Sequence, residues 1–396
     1  MPLSNVPVLD LELPQIIHSV ERFLGADGLR RKLSYLDGAM NRAAPIYREN
    51  FLRPRASPWF GLRRAIERSS NLIRLDLRLA DDELIRALHM AFLIFGALDS
   101  MPTWKRNEIR SRLLDKAGGD VPVLVELTCW HSLRRRGAEV QWVPEKANSG
   151  RRVPDLSGNI AGVAFEYECK AKSVDTGRRI ALSDFYQFAD RLVTKLPQLA
   201  QPGPNRYTWL EISTEANFPR DLPSQEQLMT VIRELVKAGG GKLDAGSTGG
   251  DVTLTLVGSE AAAAIRASAM RPFELGIYGK QIIIRAACKK PDKLLRAVEE
   301  DLKDALKQFS GTVPALIGCY FPGIESFRGA EKPSTKISGL VEKIGRRKDA
   351  NHLASIAFFS DPRVERKSDG SIGTDVEAAS FWMLKFRDTP LAQLVG

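Results

Sequence analysis

Three residues of this chain have types and spacing suited to one piece of chemistry. Asp155 follows Pro154 in Val153-Pro154-Asp155-Leu156, while Glu168 and Lys170 stand in Phe165-Glu166-Tyr167-Glu168-Cys169-Lys170-Ala171-Lys172. On a strand alternate residues share a face, so Glu166, Glu168, Lys170 and Lys172 point one way and Phe165, Tyr167, Cys169 and Ala171 the other. If Asp155 lies on an antiparallel neighbour, its carboxylate comes beside that of Glu168, because opposed residues of a ladder are ~5 Å apart. Two close carboxylates repel unless a cation lies between them. Magnesium suits the place: it is a hard ion, usually held by one or two carboxylates while water and phosphate oxygens complete its shell. A lysine two residues past the glutamate could then orient or deprotonate an attacking water, or steady charge developing on a phosphate. The competing reading is a solvated strand face of alternating charge.

The pattern Pro-Asp, twelve residues, Glu-x-Lys resembles the signature of the PD-(D/E)XK nuclease superfamily, which has a restriction-endonuclease-like fold. Pro154 and Asp155 match its first half; Glu168, Cys169 and Lys170 match its second. The resemblance implies that Asp155 and Glu168 bind Mg2+, with Mn2+ able to substitute, that the main-chain carbonyl of Cys169 joins them, and that Lys170 serves catalysis. It also implies that Glu126, on the first core helix, assists at the metals. Gln187, beside Tyr186 on the helix after the motif strand, takes a position from which some members hold substrate. The implied activity is hydrolysis of phosphodiester bonds in DNA by an endonuclease, in restriction or phage defence, as a homodimer or within a larger complex. RNA as substrate, exonuclease action and a non-catalytic nucleic-acid-binding or assembly subunit of the same fold all stay open.

Charge agrees with a polyanionic partner. Lys and Arg number 58 against 48 Asp and Glu, a net charge of +10, which favours DNA or RNA. Arg134-Arg135-Arg136, Arg151-Arg152 and Arg178-Arg179 bracket the motif, and with Lys172 they suit a track of phosphate contacts. Arg53, Arg55, Arg63 and Arg64 mix with Trp59 and Phe60 as basic and aromatic residues do on nucleic-acid surfaces, although helix core has the same spacing. The histidines, His18, His89, His131 and His352, show no metal spacing and are expected to be structural. Ala238-Gly239-Gly240-Gly241-Lys242 lacks the Walker spacing, so nucleotide hydrolysis is not implied.

The elements that must position these residues follow from periodicity and turn signals. Residues 1–120 read as a helical N-terminal region, with amphipathic stretches at Gln15–Leu24, Trp59–Ser69 and Asp81–Leu98. Residues 121–325 read as the nuclease core. In it a helix runs from Val123 to about Arg136, strands lie at Glu139–Val143, Val153–Leu156 and Gly162–Lys172 with a turn at Ser157-Gly158-Asn159, a helix spans Ser183–Leu196 and a strand Tyr207–Ser213. That order fits the αβββαβ core of the resembled family. Further on, the spacing predicts a helix at Gln225–Lys237, a loop at Ala238–Gly250, strands at Asp251–Val257 and Gln281–Ala287, a helix at Pro291–Phe309 and a strand at Val313–Phe321. Residues 326–396 then extend the sheet, with a helix near Ile337–Arg347 and strands near Leu353–Phe359 and Phe381–Phe386. The fold class is therefore α/β or α+β. The four cysteines form no C-x-x-C pair, so zinc knuckles and disulfide frameworks are not suggested. No apolar run reaches membrane-spanning length and the first residues lack the order of a secretory signal, so a cytoplasmic protein without a membrane partner is expected.

Overall fold

The computed structural model describes residues 2–3, 13–68, 81–116, 119–144, 153–173, 175–215, 217–244, 250–268, 275–279, 281–290, 293–320, 333–359, 363–366, 372–375, 378–386 and 388–395. In chain order the helices and strands that matter are α1 (Leu13–Leu24), α2 (Ala26–Arg42), α3 (Arg53–Arg68), α4 (Asp82–Leu98), α5 (Thr103–Leu114), α6 (Asp120–Arg135), β1 (Glu139–Trp142), β2 (Leu156–Ile160) and β3 (Val163–Ala171). Then come α7 (Leu182–Lys195), β4 (Arg206–Thr214), α8 (Leu222–Lys237), β5 (Gly241–Asp244), β6 (Gly250–Gly258), α9 (Ser259–Ala267), β7 (Leu275–Tyr278) and β8 (Ile282–Cys288). The chain closes with α10 (Leu294–Leu306), β9 (Ala315–Tyr320), α11 (Pro333–Gly345), β10 (Leu353–Phe359) and β11 (Ala378–Trp382). The protein is mixed α/β, in two compact units: residues 1–38, 56–174 and 297–396 form one, residues 39–55 and 175–296 the other. No helix among the described residues is long and apolar enough to cross a membrane.

The first unit is organised by a six-stranded sheet of order β11-β10-β9-β3-β2-β1. β1, β2 and β3 form an antiparallel meander, β9 joins β3 in parallel, β10 is parallel to β9 and β11 antiparallel to β10. β9 reads Ala-Leu-Ile-Gly-Cys-Tyr and is buried along almost its whole length, as expected of a strand covered on both faces. Helix α6 packs on β3, and its Val123, Leu127, Cys129 and Trp130 share one apolar core with Phe165 and Tyr167 of the strand. That core continues into the helical region through α1, whose Leu13, Ile16, Ile17, Val20 and Leu24 recur at helical spacing and are buried. α4 begins at Asp81, whose carboxylate accepts the Leu84 N–H at 2.9 Å and caps the helix. Trp59, read above as a possible stacking residue, is 1% exposed and belongs to this core, with its indole N–H donating to Asp120 at 3.2 Å.

The second unit has its own five-stranded sheet, of order β5-β6-β4-β8-β7, in which β4 pairs antiparallel with β6 and parallel with β8. Its separate core gathers Phe185 and Phe188 of α7, Leu228 and Ile232 of α8, and Leu210, Val252 and Ile284 of the strands.

This architecture corrects several expectations. Helix Ser183–Leu196 and strand Tyr207–Ser213 exist, but as α7 and β4 they belong to the second unit and its sheet; the strand that joins the meander is β9, far along the chain. The burial of β4 alternates, which suits a sheet with two unlike faces, whereas β9 is apolar throughout and can fill a central position. The compact units accordingly cut across the segments 1–120, 121–325 and 326–396, and residues 175–296 are an insertion between β3 and the α10–β9 pair. The turn expected at Ser157-Gly158-Asn159 lies instead at Ala161-Gly162, where both residues have positive φ, 48° and 84°, as a two-residue primed hairpin requires. Asn159 supports that turn, its Oδ1 accepting the Gly162 N–H at 2.9 Å. Part of the loop expected at Ala238–Gly250 is strand β5, and the strand expected at Phe381–Phe386 ends at Trp382, with a 3-10 turn following at Leu384–Phe386.

Candidate active site

The hairpin β2–β3 sets the register of the candidate site. Leu156 pairs with Tyr167, so one further step along the antiparallel ladder brings Asp155 opposite Glu168. Asp155 remains tied to the sheet on both sides: its carbonyl accepts the Val143 N–H at 3.1 Å, and its Oδ2 accepts the Cys169 N–H at 2.8 Å. The strand alternates as its sequence demands, Phe165 and Tyr167 facing the α6 core. The opposite face is not a solvated row of charges. Glu168 is 3% exposed, Glu166 accepts the Ser310 N–H at 2.7 Å, and Lys172 pairs with Asp301 of α10. Helix α10 thus covers part of this face, and Lys172 is engaged with it.

Glu168 carries the decisive feature. Its Oε1 receives Lys170 Nζ at 2.5 Å, while Oε2 is buried and meets no donor in good hydrogen-bond geometry, with Asp155 its close neighbour. A buried acceptor left without a partner is costly, and a carboxylate oxygen more so. Burial holds the Glu168 carboxyl above its usual range, although Lys170 and, to a smaller extent, Asp155 pull the other way. Asp155 is held well above the carboxylate range by burial first, then by the Glu168 and Glu126 charges; the Cys169 N–H and Lys105 oppose this. Two neighbouring carboxyls that resist ionising together are what a proton or a cation would relieve.

Glu126 lies on α6 and is buried, at 5% exposure. Its Oε2 receives Lys105 Nζ at 2.9 Å and its Oε1 receives Arg112 Nη1 at 2.7 Å. Glu108 completes the cluster, 3.0 Å from Lys105 and 2.9 Å from Arg112. Both oxygens of Glu126 are therefore already met by cations, while its charge acts on Asp155 of the candidate site. Lys105 and Arg112 were not anticipated from the sequence. The available signal was Lys105 at helical spacing from the apolar Ile109 and Leu113, which places a lysine on the buried face of α5.

The residues present fit a hard divalent cation in part. Asp155, Glu168 and the Cys169 carbonyl would hold it, and the unpartnered Glu168 oxygen supplies a ligand position. The Cys169 thiol is unsuited, since burial pushes it well above the ordinary thiol range and keeps it protonated. Among the described residues no three His, Cys, Asp or Glu side chains converge as a ready ligand cage.

The remaining residues singled out above fall elsewhere. Arg151 and Arg152 lie outside the described residues. Arg178, Arg179 and Gln187, the last exposed on α7, belong to the second unit. At the end of α6, Arg134 stacks over Trp130, and Arg136 donates to the Leu394 carbonyl, which gives both a structural use. Comparison with models of known families, with characterised proteins and with solved structures gives no match.

Proposed function

We propose that this protein is a divalent-metal-dependent nuclease of the PD-(D/E)XK type that hydrolyses phosphodiester bonds in DNA, with Asp155, Glu168 and Lys170 at its reacting centre. The observation that carries the reading is the buried Glu168 carboxylate, paired with Lys170 on one oxygen, unpartnered on the other, and opposite Asp155 across the ladder. The element order supports it as well: α6, the meander β1–β2–β3, then α10 and β9 give a helix, three strands, a helix and a strand, with the second unit inserted after the third strand.

When bound, a magnesium ion would acidify a coordinated water and polarise the phosphate. Asp155 and Glu168 would hold the ion beside the phosphate to be cleaved. The Cys169 N–H holds one oxygen of the Asp155 carboxylate and so fixes the direction of the group. Lys170, already beside Glu168, stands where it can hold the attacking water or steady the phosphate oxygen as negative charge grows. The net charge of +10 favours approach of a polyanion.

Cleavage assays test this reading. Purified protein incubated with supercoiled plasmid, single-stranded DNA and RNA, each with Mg2+, Mn2+ or EDTA, is expected to cut DNA in either metal and not in EDTA. Cutting that persists in EDTA would overturn it. One observation favours a second reading, binding without cleavage: both oxygens of Glu126 are occupied by Lys105 and Arg112, so no third carboxylate is free at the site. Metal-independent binding of all three polymers with none cut would select it.

A further inference from the structure

The second unit, taken by itself, holds a cavity of ≈ 530 Å³ whose walls come from three separate chain segments. Arg178 and Arg179 approach from the first, Arg220 from the second and Lys293 from the third, with Asp175 and Asp221 also in the lining. The segments are laced together through their main chains. Lys293 N–H donates to the Gly177 carbonyl at 2.7 Å and Phe218 N–H to the Arg179 carbonyl at 3.0 Å. Arg179 Nη1 also donates to Asn217 Oδ1 at 3.0 Å. Gly177 makes the close approach feasible: its φ is +70°, and a Cβ there would lie 2.7 Å from the Leu294 backbone. The cavity is thus a constructed feature of the unit, held open by residues whose backbone leaves little freedom.

Its charge is also organised. The lining holds four cationic residues and two carboxylates, and even with Asp184 beside Arg220 the cations remain in excess. Both carboxylates have structural work. Asp175 Oδ1 accepts the Leu182 N–H at 2.6 Å, and Asp221 Oδ1 accepts the Ser224 N–H at 2.8 Å, at the starts of α7 and α8. Arg220 meets a carboxylate only loosely, its Nε 3.6 Å from Asp184 with 64% of the side chain exposed. Lys293 is exposed. Guanidinium groups bind phosphate in paired, charge-assisted hydrogen bonds, and several cations in excess around one cavity suit a phosphate dianion better than a diester's single charge. The volume lies within the ~300–1,000 Å³ range of small-molecule sites.

We propose that this cavity binds a phosphate monoester, supplied either by the phosphorylated end of a nucleic-acid strand or by a free nucleotide. The proposal goes beyond the cleavage reading, because the cavity belongs to the unit that lacks Asp155 and Glu168 and would bind phosphate whether or not the chain cuts DNA.

The test uses the full-length protein in EDTA, so that strands stay intact. Fluorescence anisotropy compares one oligonucleotide bearing a 5′-phosphate, a 3′-phosphate or hydroxyls at both ends, and calorimetry follows a nucleoside monophosphate and inorganic phosphate. A phosphorylated end is expected to bind ~10-fold more tightly than the hydroxyl form, the gain of one charge-assisted contact. In Arg220→Gln/Lys293→Gln, with an unchanged melting temperature, that preference should vanish. Preference for a strand end without monophosphate binding identifies the strand as source; monophosphate binding that competes with the strand identifies the nucleotide. Equal binding of all oligonucleotides together with no heat from monophosphate or phosphate would overturn the proposal. So would a preference that survives in the folded double variant. The wild-type comparison decides the matter even if the double variant fails to fold.

Discussion

Lys105 Nζ lies 2.9 Å from Glu126 Oε2, and the two side chains are each 6% exposed. Such a pair forms only where the fold has set aside a place for it, because burying either charge alone is prohibitive. It joins α5 to α6, the helix that packs on the motif strand β3. Lys105→Met should therefore destabilise the protein by about 2 kcal/mol, the cost of leaving one buried carboxylate oxygen without its donor while Arg112 still meets the other. Lys105→Met/Glu126→Leu should recover most of that loss. Urea unfolding of the four proteins in the cycle checks this, and a double variant as unstable as Lys105→Met would refute the pairing argument.

The same pair fixes an expected stoichiometry. With both oxygens of Glu126 taken by Lys105 and Arg112, the protein should bind one divalent ion per chain rather than two. Calorimetric titration with Mn2+ gives the number directly. Two ions of similar affinity would mean that Glu126 exchanges its cations for metal.

Acid sensitivity should arise in the helical region. Burial, reinforced by His131, holds His89 down at about 4 instead of 6.5, and burial also lowers His131, whose Nε2 meets the Leu93 carbonyl at 2.8 Å. The folded state then binds fewer protons than the unfolded one between pH 6.5 and about 4. Stability from His89 is complete above pH 6.5 and is lost as pH falls toward 4, amounting to ~3 kcal/mol at about 1.4 kcal/mol per pH unit. Asp155 and Glu168 run the other way: their carboxyls are raised, so ionising them costs stability as pH climbs toward neutrality. Comparing urea unfolding of wild type and His89→Gln at pH 7.5 and pH 5 isolates the histidine, and equal pH slopes for the two would contradict its assignment.

The raised Asp155 carboxyl leads to a related expectation. Asp155→Asn keeps an acceptor for the Cys169 N–H while removing one of two opposed charges. In EDTA at neutral pH the variant should be more stable than wild type, because a carboxyl that burial and its neighbours keep from ionising is replaced by a neutral amide. Millimolar Mg2+ or Mn2+ should raise the melting temperature of wild type and leave the variant unchanged. A variant less stable than wild type in EDTA would show that Asp155 is chiefly a structural acceptor.

Much of this was legible before the fold was known, and the reasons differ residue by residue. The alternation of Phe165, Tyr167, Glu168 and Lys170 betrayed β3, because a period of two cannot be accommodated by a helix. The motif spacing singled out Asp155 and Glu168 together, but the expected turn did not give their register: about Ser157-Gly158-Asn159 Asp155 lies much nearer the turn than Glu168, whereas about Ala161-Gly162 the two stand equally far from it. Lys105 offered only its spacing from Ile109 and Leu113 as a signal, and the part-exposed Arg112 looks like any helix-surface arginine until its partner is known. The partner of β3 was misassigned for a similar reason. Both β4 and β9 read as strands, and nothing local distinguishes a strand that returns to the same sheet from one that begins another; only the continuous apolar character of β9 hinted at a central place.

The central claim is that Asp155, Glu168 and Lys170 form one metal-dependent hydrolytic centre, and single substitutions address it most directly. Plasmid cleavage in Mg2+ by wild type should be compared with that by Asp155→Asn, Glu168→Gln and Lys170→Met, each first shown to be folded by circular dichroism and thermal unfolding. Groups that act as a unit lose nearly everything when any one is removed, so each variant should fall at least ~100-fold, the scale of a single lost charge-stabilising contact. Cleavage within a few-fold of wild type by a folded Glu168→Gln protein would contradict the account, because the buried, unpartnered carboxylate on which it rests would then have no part in the reaction.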